Sequence, residues 1–173
     1  MQFQQWVESR NFNQLPLILK GLAAEARKAG SWEEFEKDFL RQIKHGLYWH
    51  WTDDPDFKID STKGPRDMSS MAFGTMDVGK LMITSDLDNW ASYGSGGKGR
   101  KYVAIVDMTE VPRNAYQQVS RGFGNEFFVS DPSRAKVIAV LPRSKALAKN
   151  REQHKYLPQS EEALREFYNS VNV

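Results

Sequence analysis

The chain contains no cysteine, which removes disulfides, thiolate metal sites and cysteine nucleophiles together. Any catalysis must use oxygen or nitrogen groups. Its histidines are His45, His50 and His154, and they show no metal spacing, whereas a zinc site needs three or four ligands. There is no Gly-x-Ser-x-Gly elbow. Gly94-Ser95-Gly96-Gly97-Lys98 lacks Walker spacing and follows a helical stretch where a phosphate loop precedes one, so it reads as a flexible hairpin. No apolar run approaches the roughly 18 residues of a membrane span, and the opening Met1-Gln2-Phe3-Gln4-Gln5-Trp6 has neither the basic nor the apolar layout of a signal peptide. Cytoplasm is the default expectation, although a domain excised from a longer secreted or injected protein has the same look. A net charge of +2 argues neither for nor against a polyanion partner. Internal repeats and low-complexity stretches are absent.

What is present suits one soluble globular domain of 173 residues with 40% apolar residues. Residues 1–45 read as a helical brace. One helix is expected from Leu15 to Lys28, stopping at Gly30, and a second is announced by the capping box Ser31-Trp32-Glu33-Glu34. Trp32, Phe35, Phe39 and Ile43 recur at helical spacing as a core stripe, and Gly46 ends the run.

From Gly46 the period becomes that of strands. Leu47 to Thr52 is a short strand with His50 and Thr52 on alternate positions and therefore one face. The segment 53–71, rich in Asp, Pro, Lys, Gly and Ser, reads as a loop able to lie over a ligand, with a Gly64-Pro65-Arg66 turn presenting a guanidinium. A strand from Lys80 to Thr84 then runs into a short helix, Asp86 to Tyr93, capped by Ser85 or Asp86. After a basic tip, Tyr102 to Met108 is apolar on both faces, as a central strand is. A loop from Thr109 to Phe123 leads to Asn125-Glu126-Phe127-Phe128-Val129. A turn at Asp131-Pro132-Ser133, a buried strand from Ala135 to Leu141, a basic segment from Arg143 to Lys155 and a helix capped at Ser160 complete the chain.

Taken singly, these signals are bland. A lone Glu before an apolar run usually sits at a solvated strand end, and a His between tryptophans is more often packed than functional. Their order and content, however, resemble the ADP-ribosyltransferase superfamily in its poly(ADP-ribose) polymerase and diphtheria-toxin branch. That branch carries a His-Gly-Ser/Thr first strand, an aromatic-bearing second strand and helix, and an Asn-Glu-Tyr-like final strand. Here His50-Trp51-Thr52, Leu81 to Tyr93 and Asn125 to Val129 are similar in that order, and Gly64-Pro65-Arg66 falls where the family has a Gly-x-Arg turn. The likeness covers about residues 46–142.

The resemblance implies an α+β fold with a split mixed β-sheet core, N-terminal helices and a C-terminal helix, the transferase-like domain spanning residues 46–173. It implies NAD+ as co-substrate, with no metal. Glu126 would stabilise positive charge on the ribose as nicotinamide departs, and His50 would hold the adenosine-side ribose. Trp51, through its peptide, and the Thr52 hydroxyl would grip the carboxamide. Tyr93 would stack on nicotinamide, Met82 would meet its other face, and Arg66 would lie near the pyrophosphate or adenosine. Two departures stand out: Trp51 replaces the family's Gly, and Met82 replaces the tyrosine of its triad. The arginine-specific branch matches less well, since it expects Arg where His50 stands and an acidic residue or Gln where Gly124 stands.

In the family the loop before the catalytic strand chooses the acceptor. Here Tyr116, Gln118, Arg121 and Phe123, with Arg113, offer stacking, edge reading and phosphate contacts, which suit RNA or DNA about as well as a protein side chain. A compact transferase of this kind also fits a toxin, effector or phage-conflict protein, with an antitoxin or immunity protein as its inhibitory partner. Three rivals stay open: an RNA 2′-phosphotransferase, which calls for more Arg and His in the cleft; a catalytically silent binding module, which Met82 favours; and a nucleic-acid-binding domain unrelated to NAD+.

Overall fold

Proline cannot supply a side-chain cap, and the helix that follows Pro16 is capped from the far end of the sequence. The computed structural model describes residues 15–39, 47–60, 80–85, 87–88, 100–118 and 126–172, with the backbone alone at 116–118. Helix α1 spans Leu17–Lys28, with Pro16 at its N-cap position. It begins after Leu15, the expected start, because the ring of Pro16 favours the first turn and not the helix interior. The orphan N–H of Ile18 donates to Gln153 Oε1 at 3.2 Å. At the other end Arg27 and Lys28 lie in the last turn, where cations suit the helix dipole.

Helix α2 spans Trp32–Asp38. Its cap is the expected one with the register shifted: Ser31 Oγ accepts from Glu34 N–H at 3.2 Å, while Glu34 Oε2 accepts from Gly30 N–H at 2.9 Å. The Ile43 end of the aromatic stripe and the Gly46 stop lie outside the described residues, as do Asp86 and 94–99.

Among the described residues the sheet has six strands: β1 Tyr48–Thr52, β2 Leu81–Thr84, β3 Tyr102–Asp107, β4 Tyr116–Gln118, β5 Glu126–Val129 and β6 Lys136–Pro142. Their order is β4-β5-β2-β1-β3-β6, and every pairing is antiparallel. This corrects the mixed sheet expected from the sequence. β2 and β3 run the same way, but β1 lies between them, so no parallel ladder forms. β3 sits between β1 and β6, with its middle buried, as its apolar run implies.

Three further expectations are corrected. The loop from Thr109 holds a 3-10 turn, Arg113–Ala115, and the edge strand β4. The strand expected to be buried from Ala135 is instead the opposite edge; the β3–β6 register shifts at Ile105/Val106, and Ile138 is 47% exposed. The basic segment is helix α3, Arg143–His154, followed by α4, Glu161–Val171, which Ser160 caps by accepting from Ala163 N–H at 3.1 Å. The C-terminus therefore carries two helices where one was expected.

α1, α2, α3 and α4 share one core with the side of the sheet that bears Trp49, Trp51, Met82 and Phe128. Phe35 of α2 stacks on Tyr168 of α4 at 5.3 Å, and the guanidinium of Arg165 lies 4.7 Å from the Trp32 ring. The other side of the sheet packs Tyr48, Ile83, Phe127 and Val129 with Phe57 and Ile59. The fold is thus α+β, an antiparallel sheet with helices at both ends of the chain. Among the described residues no helix is long and apolar enough to cross a membrane.

Replacing Gln153 by Ala strips the cap from Ile18 N–H at a buried position. The expected cost is about 1–2 kcal/mol in a urea titration. A variant as stable as the parent would mean that Ile18 N–H finds another acceptor.

Candidate active site

An imidazole reaches across the centre of the sheet, at the place where the backbone ladder thins. β1 and β2 share a single register pair, Trp49↔Thr84, whereas β1 and β3 are paired along the whole of β1. There His50 Nδ1 lies 2.7 Å from the carbonyl oxygen of Met82. A carbonyl only accepts, so Nδ1 carries a proton. His50 is buried, at 4% exposure.

On the other side of β2, β5 pairs along its whole length, with Thr84 opposite Glu126 and Met82 opposite Phe128. The topology therefore sets the three motif-bearing strands side by side, β5-β2-β1, though long loops separate them in sequence. Opposed residues of an antiparallel pair share a face and neighbours along a strand alternate. Glu126, Thr84, Met82, Trp49 and Trp51 accordingly fall on one side of the sheet, and His50, Thr52, Ile83 and Phe127 on the other. Glu126, which heads β5, is partly exposed, in contrast to the buried Phe127, Phe128 and Val129.

Glu126 and Met82 are brought to one side of adjacent strands, and His50 is tied to Met82 through the backbone. Glu126 and His50 are not on one side of the sheet, and His50 Nε2 is itself buried. The Trp51 indole is buried in the helix-side core with the guanidinium of Arg143 5.0 Å from its ring. Thr52 is fully buried and its Oγ1 accepts from Asp54 N–H at 3.0 Å. Arg66, Tyr93, Arg121 and Phe123 lie outside the described residues, and for Tyr116 and Gln118 the backbone alone, in β4, is described. Arg113, from the loop expected to choose an acceptor, is committed elsewhere: its Nε and Nη2 donate to Asp38 Oδ2 at 3.2 and 3.0 Å.

The sequence reading missed what holds the turn after β1. Asp53 takes Arg100 Nη1 at 2.6 Å and Lys101 N–H at 3.2 Å, while Asp54 Oδ1 accepts from Asp56 N–H at 2.9 Å. Phe57 N–H donates to Asp54 O at 3.3 Å, and the Phe57 ring stacks on His50 with centroids 4.5 Å apart and planes at 24°. A single aromatic inside a loop of Asp, Pro and Lys was the available signal.

A second polar cluster lies by the start of β1 and the end of β3. Lys28 Nζ donates to Met108 O at 2.6 Å and to Glu25 Oε1 at 3.1 Å, and Glu25 is 2% exposed. Burial pushes the Lys28 amine below the ordinary lysine range, while Glu25 opposes that shift. Among the described residues no group of His, Asp and Glu is arranged to hold a metal ion.

Compared with family models, curated proteins and solved structures, the chain matches none.

Glu25→Gln leaves the Lys28 ammonium without its buried counter-charge. The expected loss at neutral pH is about 3 kcal/mol. Between the lowered native value and the ordinary one the unfolded chain binds more protons, so stability rises with pH across that window. The Gln variant, whose native value falls further, should regain part of its loss as pH rises; a loss that grows with pH would contradict the assignment.

Proposed function

We propose that the chain is an NAD+-dependent ADP-ribosyltransferase that breaks the nicotinamide glycosidic bond and transfers ADP-ribose to a macromolecular acceptor, nucleic acid or protein. The observation that carries this proposal is the adjacency of β5, β2 and β1, with the β1–β2 ladder reduced to one pair beside His50. That order puts the strands of Glu126 and His50 one on either side of β2, which bears Met82.

In this proposal Glu126 faces the ribose and accepts a hydrogen bond from its 2′-hydroxyl. The bond from C1′ to the nicotinamide nitrogen breaks, and its electron pair leaves with that nitrogen, which becomes neutral. The acceptor's nucleophile then bonds to C1′ and gives up its proton. A carboxylate beside a ring gaining positive charge acts in the transition state more than in the ground state. His50 holds the adenosine-side ribose. Met82 stands on the Glu126 side, where one face of nicotinamide would lie, with Tyr93 on the other. Arg66 serves the pyrophosphate or adenosine end, and Tyr116, Gln118, Arg121 and Phe123 serve the acceptor. Action as a toxin, effector or phage-conflict protein, held in check by an antitoxin or immunity protein, fits such an activity.

One observation favours a second reading, a catalytically silent binding module. The Trp51 indole falls on the same side as Glu126 and Met82 and is 1% exposed, so it fills the space that the family's glycine leaves open. An assay of nicotinamide release with purified protein separates the two. Glu126→Gln should lower kcat about 100- to 1,000-fold with KM little changed, whereas His50→Ala should raise KM. Intact turnover in Glu126→Gln would remove the carboxylate from the reaction, and no release from the parent chain would favour the binding module. RNA, DNA and lysate protein offered in parallel with labelled NAD+ identify the acceptor.

A further inference from the structure

β6 pairs with β3 and, among the described residues, has no strand on its other side. An edge strand turns about half of its N–H and C=O groups outward, where a further strand can pair with them. The middle of β6 is apolar, and Ile138, 47% exposed, is the one exposed large hydrophobic residue among those described. The register shift between Ile105 and Val106 leaves Ile138 without an opposite residue in β3. Its side chain borders a cleft of about 110 Å³, lined also by Leu17, Gly21 and Ala24 of α1. The acids of that cleft are already answered, Glu25 by Lys28, while Asp107 stands opposite Lys136 in the β3–β6 register.

Charge decides what such an edge accepts. No acidic residue occurs from 132 to 151. Exposed Arg134 and Lys136 mark one end of β6; at the other, exposed Lys145 follows Arg143, which covers Trp51. At roughly 3.3 Å per residue the two basic ends lie about 23 Å apart along an apolar strand. A second copy paired edge to edge and antiparallel would set Arg134 and Lys136 beside the basic end of its partner, and like charges opposed across strands destabilise the pair. Lysine at one end, proline at the other and a bulge between also keep an edge from pairing indiscriminately. A nucleic acid answers the charge but leaves the apolar middle and the outward backbone groups unused. An extended peptide answers all three.

We propose that β6 is a docking edge for an extended acidic peptide. The partner segment adds antiparallel to β6, as every pairing in this sheet runs, lays an apolar side chain into the cleft beside Ile138, and carries Asp or Glu at each end. Backbone hydrogen bonds supply the affinity, and the cleft and the charged ends supply the selectivity. β3 separates this edge from the strand of His50, and the docking does not depend on the transferase proposal.

The probe is a fluorescein-labelled synthetic peptide with a Val-Ile-Val-Leu centre and Glu-Glu at each end, titrated with the purified full chain by fluorescence anisotropy. It should bind about tenfold or more tightly than the same centre flanked by Lys-Lys, and a proline inside the centre should reduce binding to that of the control. Lys136→Glu combined with Lys145→Glu should invert the preference, and Ile138→Glu should weaken the acidic peptide about tenfold. Hydrogen exchange of the β6 amides should slow when the acidic peptide is bound. Equal affinity for acidic and basic peptides, indifference to the proline, or no binding of the acidic peptide would overturn the proposal. So would a single-stranded RNA that binds more tightly than the acidic peptide, which would mark a polyanion surface. Sedimentation of the parent as a dimer that Ile138→Glu dissociates would make the occupant a second copy and overturn it too. Should a variant not fold, the peptide comparisons on the parent still decide.

Discussion

A hydrogen bond between His50 Nδ1 and the Met82 carbonyl, 2.7 Å long and buried, joins the two central strands of the sheet beside their Trp49–Thr84 pair. Buried carbonyls require a donor, and over most of a sheet the neighbouring strand provides it. Here a side chain does. The consequence is chemical as well as structural, because the bond requires the proton to sit on Nδ1. Loss of the imidazole would unsatisfy Met82 O and disturb the junction of these strands, so His50 carries a structural duty in addition to the proposed ligand contact.

Helix α3 is the second element on which the arrangement depends. Its buried face is polar: Asn150 donates to Asp88 Oδ2 at 3.3 Å, just beyond β2, and Gln153 caps α1. At its start Arg143 N–H donates to Lys101 O at 2.9 Å, while the Arg143 side chain covers Trp51. One helix thus ties together α1, the segment after β2, the entrance to β3 and the strand that bears His50. Arg143 and Arg151 of the basic run serve these ties, Arg151 lying 3.6 Å from Asp88 at the surface, while Lys145 and Lys155 face solvent. A run of positive charge is in this case as much a fastening as a polyanion surface.

Much of this architecture was legible in the residues. Ser31 and Ser160 announced their helices because a short hydroxyl side chain does one local job at a cap. The apolar run of β3 announced a central strand because both faces must be covered there. The strands of His50, Met82 and Glu126 were recognisable as pieces, and the sheet order sets them side by side. What was not legible depended on partners distant in sequence. β6 is as apolar as a buried strand but ends at the sheet edge, and β4 is too short and polar to stand out from a loop. The side of the sheet on which Glu126 falls follows from its register with Thr84, and the stack of Phe57 on His50 from a turn held by Arg100 and Lys101.

The most direct measurement is a crystal structure of the Glu126→Gln variant soaked with NAD+. The account predicts bound NAD+ with the residue 126 side chain at the nicotinamide ribose and His50 at the adenosine-side ribose. NAD+ touching neither residue would contradict it.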